Sequence, residues 1–200
     1  MSSRLMQRHH NLVYGYIIPV LAGLFLLLLG TITVFNAWYQ YRSNMSAIMA
    51  SEIQQLATIF EKINNTAGII NFDYQKNWIN FLTIKKGGFV GSEVGTLNLM
   101  YPDKWEGPYL LEGKKDNPTI QEKEYQIVRT KDGYFIVPGE GVRLSNGKVI
   151  GKDIILDEQA DIEKMMLDEQ ALRYQGKKLA ARVPTGGKKE VVPLPASNGY

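Results

Sequence analysis

Six carboxylates crowd into one stretch of the sequence, Asp157, Glu158, Asp161, Glu163, Asp168 and Glu169. General acid–base work or metal binding would require them to converge on one point, whereas the helical spacing expected there spreads them around a surface. They read as a solvated face. Both histidines, His9 and His10, precede the long apolar run, and there is no cysteine. The rest of the chain therefore offers neither imidazole nor thiolate as base, nucleophile or zinc ligand. A Ser or Thr nucleophile would need a lysine partner in a recognisable setting, and no such signature surrounds one. Gly87, Gly88, Gly91 and Gly95 are not followed by the Lys-Ser/Thr step of a phosphate cradle. Asn44-Met45-Ser46 and Asn64-Asn65-Thr66 match the N-glycosylation triplet but fall on a predicted packed helix. The expectation is a protein without catalytic residues, cofactor or metal, and not an enzyme. A net charge of +3 is spread through the chain without a basic patch, which excludes nucleic acid as an expected partner.

What must be positioned is thus a surface, and the elements that position it begin in lipid. No charged residue occurs between His10 and Arg42, and the centre of this run, Ile17 to Leu29, is more apolar than a soluble core helix needs to be. At about 1.5 Å per residue, roughly twenty such residues span the roughly 30 Å hydrocarbon layer. The run is too long for the apolar part of a secretory signal, and Ser46 to Ala50, the nearest small-residue patch, lies well past its end, so it reads as an uncleaved anchor. Arg4 and Arg8, with His9 and His10, outweigh the single Arg42 and favour a cytoplasmic N-terminus. Trp38, Tyr39 and Tyr41 suit the far headgroup belt, and Tyr14 and Tyr16 the near one. Pro19 falls in the first turns of the helix, where a missing amide costs least.

Beyond the span, apolar residues recur at Met45, Ile48, Met49, Ile53, Leu56, Ile59, Phe60 and Ile63, which is helical spacing, with Gly68 as the stop. The outer domain is expected to pack on this half of its own anchor helix, and Leu56, Ile59, Phe60 and Ile63 are its candidate interface. Ile69 to Pro118 shows no long periodicity and many large side chains, the pattern of a packed irregular loop. Two hairpin signals follow, around Lys131-Asp132-Gly133 and Ser145-Asn146-Gly147, and predict a small antiparallel meander. Asp157 to about Gln175 is predicted helical, with Ile162, Met165, Met166, Leu172 and Tyr174 inward, and Pro184 to Tyr200 a loose tail. The predicted organisation is a cytoplasmic segment 1–11, a transmembrane helix 12–41, an extracytoplasmic α+β domain 42–183 and a tail 184–200.

This layout resembles a type IV pilin or pseudopilin. A more local likeness is carried by Trp105 and Gly107-Pro108-Tyr109-Leu110, which are similar to the tryptophan and Gly-Pro-Tyr-Leu segment of major pseudopilins of type II secretion systems. The resemblance implies a pilin-like α+β fold: a long N-terminal helix packed on a small antiparallel sheet. It implies a non-enzymatic structural subunit of the bacterial inner membrane, with its main domain periplasmic and with other pseudopilin-like subunits or secretion-platform proteins as partners. The family's leader, a glycine followed by phenylalanine, and the glutamate in its apolar helix have no counterpart in Gly15-Tyr16-Ile17-Ile18-Pro19-Val20. Of the family's acidic calcium loop only Asp153 falls near the matching place, so no metal is assigned. The other expectation kept open is a single-span membrane protein whose outer domain senses or scaffolds.

Overall fold

A computed structural model describes residues 16–111 and 119–186. The segment 1–11 and the tail from Gly187 onward lie outside the described residues. The chain divides into two units between Asn44 and Met45.

Helix α1, Ile18–Thr66, is 49 residues long. Its first part is apolar and exposed: Leu27 and Phe35 keep 71% and 69% of their surface, and the 18-residue window most suited to a membrane has none of its residues buried. A core helix of a soluble protein would cover such residues, so exposure joins length and composition in marking a candidate membrane span. Thr31 and Thr33 donate their hydroxyls to the carbonyls of Leu28 and Leu29, 2.8 Å each, and so carry no unsatisfied polar atom into an apolar surrounding.

In the second unit the helix changes role. Met49, Ile53, Leu56, Phe60 and Ile63 recur at alternating steps of four and three, and all are buried. Ile59 is half-buried, whereas Ile48 remains 52% exposed. The helix stops where Gly68 takes φ +67°, and its amide reaches back to the carbonyls of Ile63 and Asn64 at 3.2 Å each. Asn64 closes the end by accepting the Ile69 amide at 3.0 Å.

Four antiparallel strands run in the order β11-β8-β7-β2, formed by β2 (Lys76–Trp78), β7 (Gln126–Thr130), β8 (Gly133–Val137) and β11 (Ala181–Val183). The predicted hairpin at Lys131-Asp132-Gly133 is β7–β8, closed by the Thr130–Gly133 pair with Gly133 at φ +126°. Gln126, Ile127, Val128, Phe135, Ile136 and Val137 are all buried, so this hairpin is covered on both faces. Two-residue ladders, β5 (Thr119–Ile120) with β6 (Lys123–Glu124) and β9 (Arg173–Tyr174) with β10 (Lys177–Lys178), complete the described strands beyond residue 118.

Three expectations are corrected. Residues 69–118 do not form a loop alone: β1 (Ile69–Phe72), β3 (Glu93–Val94) and β4 (Leu97–Leu99) make a second antiparallel sheet in the order β1-β4-β3. An irregularity between Ile69 and Asn71 and strands this short hide the period-two signal. The second predicted hairpin forms around Ser145-Asn146-Gly147, with the Leu144 amide on the Lys148 carbonyl at 2.7 Å, the Ile150 amide on the Val142 carbonyl at 2.9 Å and the antiparallel bridge Arg143–Val149, but it lies outside the main sheet, whose edges come from earlier and later chain. The meander is therefore a four-stranded sheet assembled from distant segments.

The third correction concerns Asp157–Gln175, where only the turn Ile162–Met165 is helical. Carboxylates compete with the helix for amides. Asp157 accepts from the Gln159 amide at 3.0 Å and Asp168 from Gln170 at 2.8 Å, while Asp161, taking the Lys164 amide at 2.9 Å, caps the one helical turn and so begins it anew at Ile162. Each such local bond fixes a turn. Glu169 takes the amides of Gln175 and Gly176 at 2.7 and 2.9 Å, where both residues have positive φ in the β9–β10 turn. Ile162, Met166 and Leu172 are buried as expected, by a folded loop instead of a helical face. At the far end Gly186 still donates to the Ile69 carbonyl, at 2.8 Å, so the folded unit continues past residue 183.

Phe60 sits at the centre of this core, with ring centroids 6.2 Å from Phe72 and 6.1 Å from Phe81. Replacing Phe60 by Ala should lower stability by about 3–5 kcal/mol in denaturant titration of the full chain, whereas Ile48→Ala should change it by less than about 0.5 kcal/mol.

Candidate functional site

The segment singled out by resemblance is built around an indole. The short turn Pro102–Lys104 ends with the Trp105 amide donating to the Pro102 carbonyl at 3.1 Å, and it delivers Trp105 fully buried. A buried indole N–H needs an acceptor. It donates to the Ile84 carbonyl at 2.9 Å. Tyr109 stands edge-on to the ring at a centroid distance of 4.9 Å, and Phe89 does the same at 6.4 Å.

Gly107 is required by this packing. A Cβ there would lie 2.5 Å from the indole nitrogen and 2.6 Å from the Ile84 carbonyl oxygen, well inside contact distance. Its own carbonyl accepts the Lys86 amide at 3.0 Å. The Gly107–Pro108 bond is cis and Pro108 is exposed. The next two amides, of Tyr109 and Leu110, both donate to the Leu82 carbonyl, at 2.8 and 3.1 Å. Trp105, Gly107, Tyr109 and half-buried Leu110 thus clasp the stretch Leu82–Phe89, and Pro108 makes the bend at the surface.

The rim of the clasp reaches α1. Lys62 pairs with Glu106 at 2.9 Å and lies 5.6 Å over the Tyr109 ring. The Glu106 carboxylate, by hydrogen bond and charge, holds the Lys62 ammonium above its ordinary range, and burial raises the Tyr109 hydroxyl.

The four interface residues on α1 serve the chain's own core. Leu56, Phe60 and Ile63 are fully buried and Ile59 packs half-buried against the same cluster, so this stripe is covered by the domain to which it belongs. One contact on this helix has no signal in the sequence. Tyr125, fully buried, donates its hydroxyl to Glu52 Oε2 at 2.6 Å, linking α1 to the chain just before β7. Burial, then the hydrogen bond and charge of Glu52, push the Tyr125 hydroxyl far above its ordinary value.

Among the described residues no three His, Cys, Asp or Glu side chains are grouped so as to hold a metal ion. Asp153, the one acidic residue near the expected calcium position, accepts the Val149 amide at 2.9 Å. No family model, curated protein or solved structure matches the chain.

Two measurements check these readings. Gly107→Ala should cost about 1–3 kcal/mol, because the added methyl must displace the indole or the Ile84 carbonyl. For Tyr125 the folded state holds the phenolic proton more tightly than the unfolded chain, so its contribution is complete below about pH 10 and declines above it, as unfolded tyrosine begins to ionise. Tyr125→Phe should be about 1.5–3 kcal/mol less stable at neutral pH and show a shallower loss of stability from about pH 10 upward, read by denaturation at a series of pH values.

Proposed function

We propose that the protein is a non-enzymatic, membrane-anchored, pseudopilin-like subunit of a bacterial type II secretion or pilus-like assembly. In this reading it sits in the inner membrane with its N-terminus cytoplasmic and the unit from Met45 onward periplasmic. The observation that carries the reading is the division of labour along α1: an exposed apolar first part, and a second part whose buried stripe forms the core of a small α+β unit. The Trp105–Leu110 clasp supports it by placing the residues of the family likeness in one structural role, around one indole.

A second reading, a single-span protein whose outer domain senses or scaffolds, is favoured by a specific feature. The stripe that would join neighbouring subunits along the rear of α1 is used internally, and no glutamate is present in the apolar part. Assembly in the first reading therefore runs through the exposed apolar part of the helix.

The chain should remain in the membrane pellet after alkaline carbonate extraction, and recovery as a freely soluble species would refute both readings. Because the sequence contains no cysteine, Leu27→Cys gives a single reporter on an exposed position. Oxidation in native membranes should yield a disulfide-linked dimer if the protein assembles with its own kind, while an uncrosslinked monomer alone would leave the sensing or scaffolding reading. N-terminal sequencing from the same membranes should start at Met1 or Ser2 for an unprocessed anchor.

A further inference from the structure

The smaller sheet turns one face to the core, where Phe72, Val94, Leu97 and Leu99 are buried. The residues that alternate with them point the other way. On that outer face the register sets Asn71 of β1 opposite Asn98 of β4, and Asn98 opposite Glu93 of β3. Asp73 follows two residues after Asn71, its amide on the Thr96 carbonyl at 3.0 Å. A row of oxygen-bearing side chains thus crosses all three strands. Its two carboxylates, Asp73 and Glu93, have no lysine or arginine within ion-pair reach among the described residues.

Two of these oxygens already meet at one atom. Asn98 Nδ2 donates to Asn71 Oδ1 and to Asp73 Oδ1, at 2.7 Å each. A half-turn of the Asn98 carboxamide sets its own Oδ1 in place of that nitrogen, so that three oxygens face one point. Partial negative charges so placed repel one another unless a cation stands between them. Thr96, on the turn that leads into β4, adds a separate sign: its Oγ1 is buried and has no hydrogen-bond partner. A buried oxygen left unpaired by its own chain calls for a partner from outside.

We propose that Asn71, Asp73, Asn98 and Glu93 hold a calcium ion, which the Asn98 carboxamide meets by turning its oxygen inward. Calcium accepts carboxylate and carboxamide oxygens at about 2.3–2.6 Å in loose geometry and fills its remaining positions with water, whereas magnesium demands a near-ideal octahedron at about 2.0–2.1 Å. A cluster of three acidic side chains is not required, because half of this set is asparagine. With so few carboxylates the affinity belongs in the roughly 0.1–1 mM range of extracellular modules. The ion joins β1, β4 and β3, strands of two to four residues that are too short for independent stability. The site lies wholly within the unit from Met45 onward and does not depend on the anchor.

Calcium is titrated into the full chain, labelled with nitrogen-15 and held in zwitterionic detergent micelles. The side-chain NH2 signals of Asn98 should shift and saturate with a midpoint of roughly 0.1–1 mM, and the thermal midpoint should rise in parallel. Asp73→Asn removes a ligand charge and should weaken binding about tenfold. Asn98→Asp does the reverse. It puts oxygen where the nitrogen stands, so it should lower the thermal midpoint in EDTA yet bind calcium more tightly than the parent chain. A merely structural amide would make Asn98→Asp equally damaging with and without calcium, and that result would overturn the site. A shift that is absent or does not saturate, or an equal response to magnesium, would overturn it as well.

Discussion

The burial of one stripe of α1 is the constraint on which the rest of this protein depends. Met49, Ile53, Leu56, Phe60 and Ile63 belong to a single helix, yet the strands and loops collected around them come from segments more than a hundred residues apart in sequence. Most strands here have two to four residues, too few for independent stability. What aligns them is the hydrophobic surface offered by the helix, to which Phe72, Phe81, Tyr125 and Ile127 contribute their own buried area. Tyr125 adds a directional contact, its hydroxyl bond to Glu52, which ties the chain entering β7 to the helix.

Polar side chains take over where regular structure is scarce. In the acidic segment, Asp157, Asp161, Asp168 and Glu169 satisfy amides that a helix would have satisfied with carbonyls. Asn146 performs a related task, donating to the carbonyls of Glu169 and Ala171 at 3.2 and 3.0 Å while accepting the Lys148 amide at 3.1 Å. Glu163 reaches β11 through Arg182, and Arg182 also donates to the Asp132 carbonyl in the β7–β8 turn. Five of the six carboxylates that first invite a catalytic interpretation, Asp157, Asp161, Glu163, Asp168 and Glu169, are thus engaged by backbone amides or by Arg182, which is a physical reason to treat this region as a fastened surface.

What could be read from the sequence follows the range of the interactions involved. The apolar run, the buried stripe on α1, the stop at Gly68 and the hairpin at Asp132-Gly133 are local patterns, set by residues within a few positions of each other. The acidic segment misled because apolar residues at helical spacing satisfy a folded loop equally well: Ile162, Met166 and Leu172 are inward in both. Only the choice between carbonyl and carboxylate as amide acceptor separates the two, and spacing does not encode it. The Trp105–Leu110 segment was visible as a group through its family likeness, but its partners, the Ile84 carbonyl and Phe89, lie upstream in chain without pattern. Glu52 and Tyr125 are separated by 73 positions, and neither carries a mark of the other.

Building a domain core on one half of a helix whose other half is a candidate membrane span has a consequence for any partner. Each side chain of the stripe that enters the domain core is withdrawn from intermolecular contact, and Leu56, Phe60 and Ile63 have no surface left to offer. A neighbour seeking the helix must therefore find it among the exposed apolar residues of its first part, Leu21, Leu24, Leu27 and Phe35 among them. In a bilayer such contacts gain little from the hydrophobic effect, because lipid tails cover those side chains as well as a protein does; close packing and hydrogen bonds must supply the difference. The depth at which the helix sits then decides which of its turns face one another in neighbouring copies.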